Sequence, residues 1–305
     1  MPYLTEFTTG TYNSKMKHNK IRLYKILFLF LGINLFFLPG ICSAIKPVPK
    51  KIVSLGPIIT DMICLLEAED KLVAVTSYCK LPEQSKPRQI IGTVMQMNVE
   101  KIISLEPDLV LANALTRQKQ IDALKKQGVN VLRLPTPHNF DDICKRLTDL
   151  GKIVGKEQRA VEVVKHAQKE VERIKSKAMT KDKRTVFIQI GLKPLKTSAR
   201  DTFIHEYIEF AGGSNIAADS TDGVYSREKV LEQDPDIIFI ATMGSSKKAG
   251  DNEKKSWQRF GFLKAVKNNE IHILNPDIIC SPTPEQFAKG LMDFFRLTHP
   301  AKKRI

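Results

Sequence analysis

Cysteine and histidine are the residues of this chain that could most readily bind a metal or act as nucleophiles. The five cysteines include no Cys-x-x-Cys pair, which a zinc site would normally need. The histidines after the N-terminal segment also lack a ligand spacing: His138, His166, His205, His272 and His299. We therefore predict no metal site built by the protein itself. Cys64 and Cys144 lie in apolar helical patterns, where a small buried thiol is expected.

Serine, histidine and aspartate are all present, so a hydrolytic site has to be considered. The sequence contains no Gly-x-Ser-x-Gly elbow and no glycine-rich phosphate loop. The pair Gly212-Gly213 is typical of the end of a helix. We predict no catalytic residues and no enzyme activity; the alternative is an α/β enzyme acting on a small molecule through a site without a known motif.

A twelve-residue pattern occurs twice and places a carboxylate at the same point in each copy. Val99 to Val110 can be laid over Arg227 to Ile238, with Glu, Lys, Pro and Asp identical in the two copies. In each copy a short helix ends before Pro-Asp, which leads into an apolar strand. Glu100 and Glu228 are therefore predicted to be equivalent residues of two similar lobes.

Short apolar strands and helices alternate along most of the chain. Predicted strands begin at Lys51, Leu72, Leu109, Asn130, Thr185, Ile237 and Ile271, and helices separate most of them. This alternation is typical of parallel α/β layers. A final helix is predicted from Pro284 to about Leu297.

The middle of the chain departs from this alternation and predicts one long helix. Residues 157–177 contain no glycine or proline, and Val161, Val164, Ala167, Val171 and Ile174 recur at helical spacing. We predict two α/β lobes with a ligand cleft between them, residues 45–155 and 181–305, joined by a backbone helix over 156–180. A single continuous sheet with a long excursion is the alternative. One bridging helix implies a small closure rather than a wide hinge motion.

The N-terminus has the pattern of an export signal. Basic residues over 15–25 precede an apolar run from Ile26 to Leu38, and small residues surround a cleavage point after Ala44. Residues 1–44 are thus a predicted signal peptide, with Met16 an alternative start, and the mature protein is expected in the periplasm. An uncleaved membrane anchor is the alternative, and Pro39-Gly40-Ile41 before Cys42 matches a lipoprotein signal poorly.

The formal charge of +15 raises the question of nucleic-acid binding. The basic residues are scattered and form no stripe interleaved with aromatic residues, as a nucleic-acid groove would need. We predict no nucleic-acid partner and a monomeric protein.

The chain resembles the periplasmic substrate-binding proteins of ABC importers for metal chelates, the helical-backbone class that carries iron-siderophores, haem and cobalamin. The likeness runs from about Lys51 to Leu297, and the cobalamin-binding members are the most alike. The segments that carry it are Ile52-Val53-Ser54-Leu55, Met97-Asn98-Val99-Glu100, Pro107-Asp108-Leu109-Val110, Phe187-Ile188-Gln189-Ile190-Gly191, Ala211-Gly212-Gly213-Ser214-Asn215-Ile216, Ser226-Arg227-Glu228, and Trp257 leading to Leu263-Lys264-Ala265-Val266-Lys267-Asn268.

This resemblance implies a set of ligand-binding residues in the cleft: Tyr78, Val94, Met95, Lys196, Asp222, Tyr225, Asp277 and Ser281. The chain departs from the cobalamin binders at four of these positions. Two cleft tryptophans fall on Val94 and Asp222, a phenylalanine on Lys196 and an arginine on Ser281. A corrin ring needs flat apolar surfaces, which these four residues do not provide. Lys193, Lys196 and Arg200 indicate an anionic chelate instead. The alternative is that these three side chains surround the opening of the cleft and face solvent.

The resemblance also implies partners. The chain is expected to capture a metal chelate, as cargo rather than as a resident cofactor, and to deliver it to the permease subunits of an ABC transporter. Glu100 and Glu228 would dock into basic pockets of the permease; a role in stabilising the helix N-terminus alone is the alternative. Cys79 and Cys280 would lie in opposing cleft loops, as a disulfide, as soft metal ligands or as free thiols.

Overall fold

The computed structural model describes residues 47–242 and 247–300. The predicted signal peptide, with Cys42 and Met16, lies outside the described residues, as do the last five residues of the chain. The fold is therefore described from Pro47 onwards.

The first lobe is built on a parallel sheet of five strands. In chain order they are β1 (Ile52–Ser54), β2 (Leu72–Val75), β3 (Gln89–Ile90), β4 (Leu109–Ala112) and β5 (Val131–Arg133). Their order across the sheet is β3-β2-β1-β4-β5, and every pairing is parallel. The connecting helices are α1 (Pro57–Leu65), α2 (Val99–Ser104) and α3 (Gln118–Lys126).

Two consecutive helices follow this lobe, α4 (Phe140–Val154) and α5 (Glu157–Ala178). Helix α4 begins at the N-cap Asn139, whose side chain accepts from the Asp142 backbone N–H, and ends at Gly155 in the left-handed region at φ 72°. The turn at Gly155 and Lys156 lets α5 begin at once, antiparallel to α4. At 1.5 Å per residue, the 22 residues of α5 span about 33 Å.

The second lobe repeats the parallel layer with four strands. These are β6 (Arg184–Gln189), β7 (Gly213–Asn215), β8 (Ile237–Ile240) and β9 (Ile271–Ile273), in the order β7-β6-β8-β9. Its helices are α6 (Phe203–Phe210), α7 (Arg227–Gln233), α8 (Lys247–Gln258), α9 (Lys264–Lys267), α10 (Pro276–Ile279) and α11 (Pro284–Thr298).

Both sheets are covered on both faces, as parallel sheets require. Alternate residues of β8 enter different cores: Ile237 and Phe239 pack with α5, α6 and α11, whereas Ile238 and Ile240 pack around Trp257. In β1, Ile52 and Val53 divide in the same way between the two cores of the first lobe. Successive apolar residues of a central strand thus enter different cores, which makes these strands recognisable in the sequence.

Helices α4 and α5 each contribute side chains to both lobes. On α5, Ala160 and Val163 pack in the first lobe, and Val171 and Ile174 pack in the second. On α4 the order along the helix is reversed. Phe140 and Ile143 pack in the second lobe, and Leu147, Leu150 and Val154 pack in the first. The two lobes are therefore joined by a pair of crossing helices.

The two crossing helices lie very close together. A Cβ added to Gly151 on α4 would lie 2.6 Å from the Ala160 Cβ on α5, which is too short for any real contact. The glycine thus permits the helices to pack at a distance that alanine would prevent. The α4–α5 pair is tightly packed at the point where the chain turns back.

The predicted fold class, two α/β lobes around a cleft, is confirmed. The predicted long helix is α5, and α4 is a second helix that packs in both lobes. The apolar stripe of the long helix is corrected in one detail: Val161 is 54% exposed, and the buried stripe instead begins at Ala160 and Val163. Gly212 does follow a helix, at φ 78°, but Gly213 opens strand β7 rather than closing that helix.

Candidate functional site

A cavity of about 220 Å³ lies between the two lobes. Loops after β4 and β5 form its first-lobe side, and the beginning of α6 and the α10–α11 turn form its second-lobe side. Helix α4 supplies one lining residue, Arg146. The remaining lining residues are Ile58, Asn113, Ala114, Leu115, Leu134, Pro135, Thr136, Pro137, Phe203, Cys280, Ser281 and Pro282.

The topology explains why the cavity forms at this edge of the first sheet. Parallel strands place their carboxyl ends at one edge, and the loops that leave them define a crevice where ligands commonly bind. The loop after β4 is ordered by Asn113, whose side chain donates to the Leu55 carbonyl and accepts from the Leu115 backbone N–H at 2.9 Å. Leu115 is 61% exposed and so presents an apolar surface beside the cavity.

The first-lobe residues predicted to bind ligand are Tyr78, Val94 and Met95, and all three lie in loops. Tyr78 is 69% exposed and Met95 is also exposed. Val94 is half-buried beside Gly56 and Asn113, since a Cβ at Gly56 would lie 3.8 Å from a Val94 methyl. Of these three, Val94 is the one that the structure brings next to a cavity-lining residue.

The predicted second-lobe residues divide into two groups. Ser281 lines the cavity directly. Lys196 and Asp222 form a separate cluster, where the Lys196 ammonium donates to the Asp222 carbonyl at 3.0 Å and Asp222 adopts a left-handed conformation at φ 54°. Tyr225 belongs to this cluster but faces the lobe interior, where its hydroxyl donates to the Ile216 carbonyl and its ring packs against Phe187 at 5.8 Å.

The other cations that suggested an anionic ligand are in different environments. Arg200 forms an exposed ion pair with Asp219 at 2.8 Å. Lys193 is exposed in the loop before Lys196. Arg200 is therefore paired within the protein, and Lys193 lies in solvent at the edge of its loop.

Asp277, in the second lobe, forms an ion pair with Lys80 of the first lobe. Its carboxylate lies 3.7 Å from the Lys80 ammonium, and both side chains are largely exposed. Nearby, burial raises the pKa of Asp61 on α1, opposed by a hydrogen bond from Gln286 on α11. Sequence reasoning missed Asp61, Lys80 and Gln286 because neither their types nor their spacing forms a motif; only the approach of the two lobes brings them together.

The cysteines in the described residues are free. The Cys280 thiol points to the Ala241 carbonyl at 3.5 Å, and burial raises its pKa to about 12. Cys79 lies 3.1 Å from the Thr76 hydroxyl. Cys79 and Cys280 are therefore not joined by a disulfide. Within the described ranges, no three His, Cys, Asp or Glu side chains form a group that could hold a metal ion.

The two repeated carboxylates occupy the same position in their helices. Glu100 is the second residue of α2 and Glu228 the second residue of α7, and both side chains are exposed. Each helix begins at a side-chain cap: Asn98 accepts from the Lys101 backbone N–H at 2.8 Å, and Ser226 accepts from Lys229 at 3.2 Å. Each helix leads directly into a parallel strand, so its N-terminus lies toward the carboxyl edge of its sheet, the edge that forms the cleft.

The aspartates of the repeat have a structural role. Asp108 accepts from the backbone N–H groups of Lys50 and Lys51, at 2.7 and 2.8 Å, and these bonds lower its pKa. Asp236 accepts from the Thr185 backbone N–H at 2.8 Å. In both lobes the aspartate thus fixes the start of the neighbouring central strand. Among the described residues, no hydrogen bond or ion pair within the chain involves the carboxylate of Glu100 or Glu228.

The model of the periplasmic binding protein family matches residues 52–278. The chain belongs to the periplasmic binding protein family. The match covers both lobes and the two crossing helices, so the resemblance inferred from the sequence is confirmed for almost all of the described chain.

Relatives of this binding protein are transport proteins. A Bacillus subtilis protein, the uncharacterized ABC transporter substrate-binding lipoprotein YvrC, is 34% identical over 264 residues, covering 84% of this chain and 82% of its own. The vitamin B12-binding protein of Vibrio parahaemolyticus is 29% identical, covering 87% and 92%. A solved structure from Staphylococcus epidermidis, described as a possible iron-binding (periplasmic solute-binding) protein, superposes with a TM-score of 0.73 at 26% identity, covering 83% of this chain and all of that one.

The described part of this binding protein contains no helix with both the length and the apolar character needed to cross a membrane.

Proposed function

We propose that this protein is an extracytoplasmic receptor that captures a metal chelate and delivers it to the permease of an ABC transporter. The observation that carries the proposal is the cavity between two lobes of a periplasmic binding protein, with an equivalent exposed carboxylate on each lobe. The ligand class is supported by two relatives, the vitamin B12-binding protein and the possible iron-binding protein. Export through residues 1–44 and a monomeric state belong to the same proposal.

The positions that resemble the aromatic cleft residues of cobalamin binders do not favour a corrin ring in this chain. Aromatic stacking contributes a large part of the burial of a corrin ring. At Val94, Lys196 and Asp222 this chain has an aliphatic residue and two charged residues instead of aromatic rings. Tyr78 remains, and its large exposed fraction leaves one face of the ring free for a ligand.

The docking role assigns one contact to each lobe. A carboxylate in the first turn of a helix is held favourably by the helix dipole and remains available to an arginine of a partner. Glu100 and Glu228 have no ion-pair partner among the described residues, unlike many acidic residues of this surface. Their equivalence in the repeat matches two pseudo-equivalent contacts with a permease.

Charge reversal tests this function. The double variant Glu100→Lys with Glu228→Lys should abolish uptake of the chelate while binding by the purified protein is unchanged. A matched control is Glu157→Lys with Glu285→Lys, because both are exposed acidic residues in the first turn of a helix but lie outside the repeat. Uptake that persists in the double variant would remove the docking assignment. Native mass spectrometry with hemin, cyanocobalamin and ferric siderophores tests the ligand class, and conversion of a bound ligand to a product would favour an enzyme.

A further inference from the structure

Arg146 is the cation that lines the inter-lobe cavity. It lies in the middle of α4, between residues that pack in the second lobe and residues that pack in the first. Its Nη2 donates to the Pro135 carbonyl, which also lines the cavity. Its Nε is buried and has no hydrogen-bond partner. A guanidinium carries five N–H donors in a planar fork, so most of the donor capacity of Arg146 is unused.

The charge of Arg146 is also unbalanced. It takes part in none of the ion pairs found among the described residues. The nearest acidic influence is Asp142, whose Oδ2 accepts from the His138 backbone N–H at 2.9 Å. Burial lowers the pKa of Arg146 from its ordinary value, and the Asp142 carboxylate offsets this effect only in part.

Arg133, on the same side of the first lobe, provides a contrast. All three of its guanidinium nitrogens have acceptors: the Asn113 carbonyl, the Gln118 side chain and the Thr116 carbonyl. Arg133 thus has a structural role in fixing the loops after β4 and β5. Arg146 has one such contact and lines an open cavity.

We propose that Arg146 anchors a carboxylate group of the transported chelate at the floor of the cleft. This inference rests on the proposed function and narrows its ligand class to chelates that carry a free carboxylate. The pairing would supply the missing counterion and use the fork geometry of the guanidinium. Arg146 is a specificity-determining residue that no motif in the sequence indicates.

The cavity walls favour an acidic arm with a short hydrocarbon stem. Ile58, Leu134 and Phe203 supply apolar surface beside Arg146. A volume of about 220 Å³ equals roughly seven water molecules at about 30 Å³ each, enough for a side arm of a few heavy atoms. The body of the chelate would then lie above the cavity, toward Tyr78 and Leu115.

The test is a titration of the full mature protein with three probes: hemin, ferric citrate and cyanocobalamin. Hemin dimethyl ester, in which both propionates are blocked, is a matched neutral ligand. The variants are Arg146→Gln, which removes the charge, and Arg146→Lys, which keeps the charge but not the fork. Lys145→Gln is the control, because it makes the same charge change one residue away at an exposed position.

We expect hemin or ferric citrate to bind the wild-type protein, with a Kd raised roughly 10- to 100-fold in Arg146→Gln, as for loss of a charge-assisted hydrogen bond. Arg146→Lys should lose less, and Lys145→Gln should bind like wild type. If hemin binds, its dimethyl ester should bind Arg146→Gln and wild type equally, which also shows that the variant is folded.

The outcomes separate this inference from the function on which it rests. Equal binding of hemin or ferric citrate by wild type and Arg146→Gln overturns the carboxylate anchor and leaves the receptor function intact. If only cyanocobalamin binds, the carboxylate anchor is also overturned and the receptor function is retained, because cyanocobalamin has no free carboxylate. Absence of binding by all three probes counts against the metal-chelate function itself and removes the anchor with it.

Discussion

Trp257 is the only tryptophan of the chain and the centre of a buried polar network in the second lobe. Its Nε1 donates to the Gln189 side chain at 2.8 Å, and Gln189 in turn donates to Glu253 at 3.0 Å. Arg227, the first residue of the α7 helix that carries Glu228, pairs with Glu253 at 2.9 Å and stacks on the indole at 4.2 Å. The network therefore fixes α7 against strand β6 and helix α8.

Replacing Trp257 with phenylalanine should destabilise the protein by about 2.5–4.5 kcal/mol. The Gln189 oxygen would lose its donor, which costs about 1–3 kcal/mol in a buried site. The space left by the smaller ring adds about 1 kcal/mol, and the weaker stacking of Arg227 adds about 0.5 kcal/mol. The effect is large because Trp257 is fully buried.

Urea unfolding followed by circular dichroism measures this change. With an unfolding slope of roughly 2–3 kcal/mol/M, the midpoint should fall by about 1–2 M. Phe262→Leu is the control: Phe262 is 57% exposed, so its replacement should change the free energy of unfolding by less than about 0.5 kcal/mol.

A double-mutant cycle with Gln189→Leu isolates the hydrogen bond. The two substitutions should be non-additive by about 1 kcal/mol, because each removes the same contact. Additive effects, or a Trp257→Phe protein within about 0.5 kcal/mol of wild type, would show that the network does not stabilise the lobe as argued.

Two further predictions concern titratable groups. Because burial raises the pKa of Asp61, the folded state holds its proton more tightly than the unfolded chain; the associated stability is present at low pH and is lost as pH rises past the ordinary value of 3.8. Asp61→Asn should therefore unfold at a higher temperature than wild type at pH 7, with the difference vanishing near pH 3, and an equal gain at both pH values would contradict this assignment. Burial raises the pKa of Cys64 to about 11 and those of Cys144 and Cys280 to about 12. Iodoacetamide at about pH 8 should therefore leave these three thiols unmodified in the native protein and alkylate them in guanidinium, which peptide mass spectrometry measures. Rapid alkylation of any of the three in the native protein would show that its thiol is not buried.

The sequence predicted those elements whose apolar pattern is set by burial on both faces. The central strands β1, β4 and β8 are buried at every position, and β6 is buried from Val186 to Gln189, so their apolar runs predict strands. The edge strand β7 was missed because Gly213-Ser214-Asn215 is polar, and its pairing with β6 depends on backbone hydrogen bonds alone. Helix α8 was missed for a related reason: it is rich in lysine and is held largely through Trp257 near its end.

The candidate site was harder to predict because it depends on contacts between distant segments. Glu100 and Glu228 were found through a repeat, which is a property of the sequence alone. Arg146 had no such signal, since an arginine in an amphipathic helix normally faces solvent. That it lines a cavity follows from the approach of Pro135 and Cys280 to α4, which no local pattern encodes.

Under the proposed function, the crossing of α4 and α5 between the lobes has a consequence for the timing of transport. Two antiparallel helices that share both cores resist twisting as well as bending, so the spacing between α2 and α7 should differ little between the empty and the loaded protein. Empty receptors would then occupy the permease as readily as loaded ones. The rate of uptake would therefore fall when receptor copies greatly outnumber ligand molecules, and the cell would gain from matching the amount of receptor to the supply of its cargo.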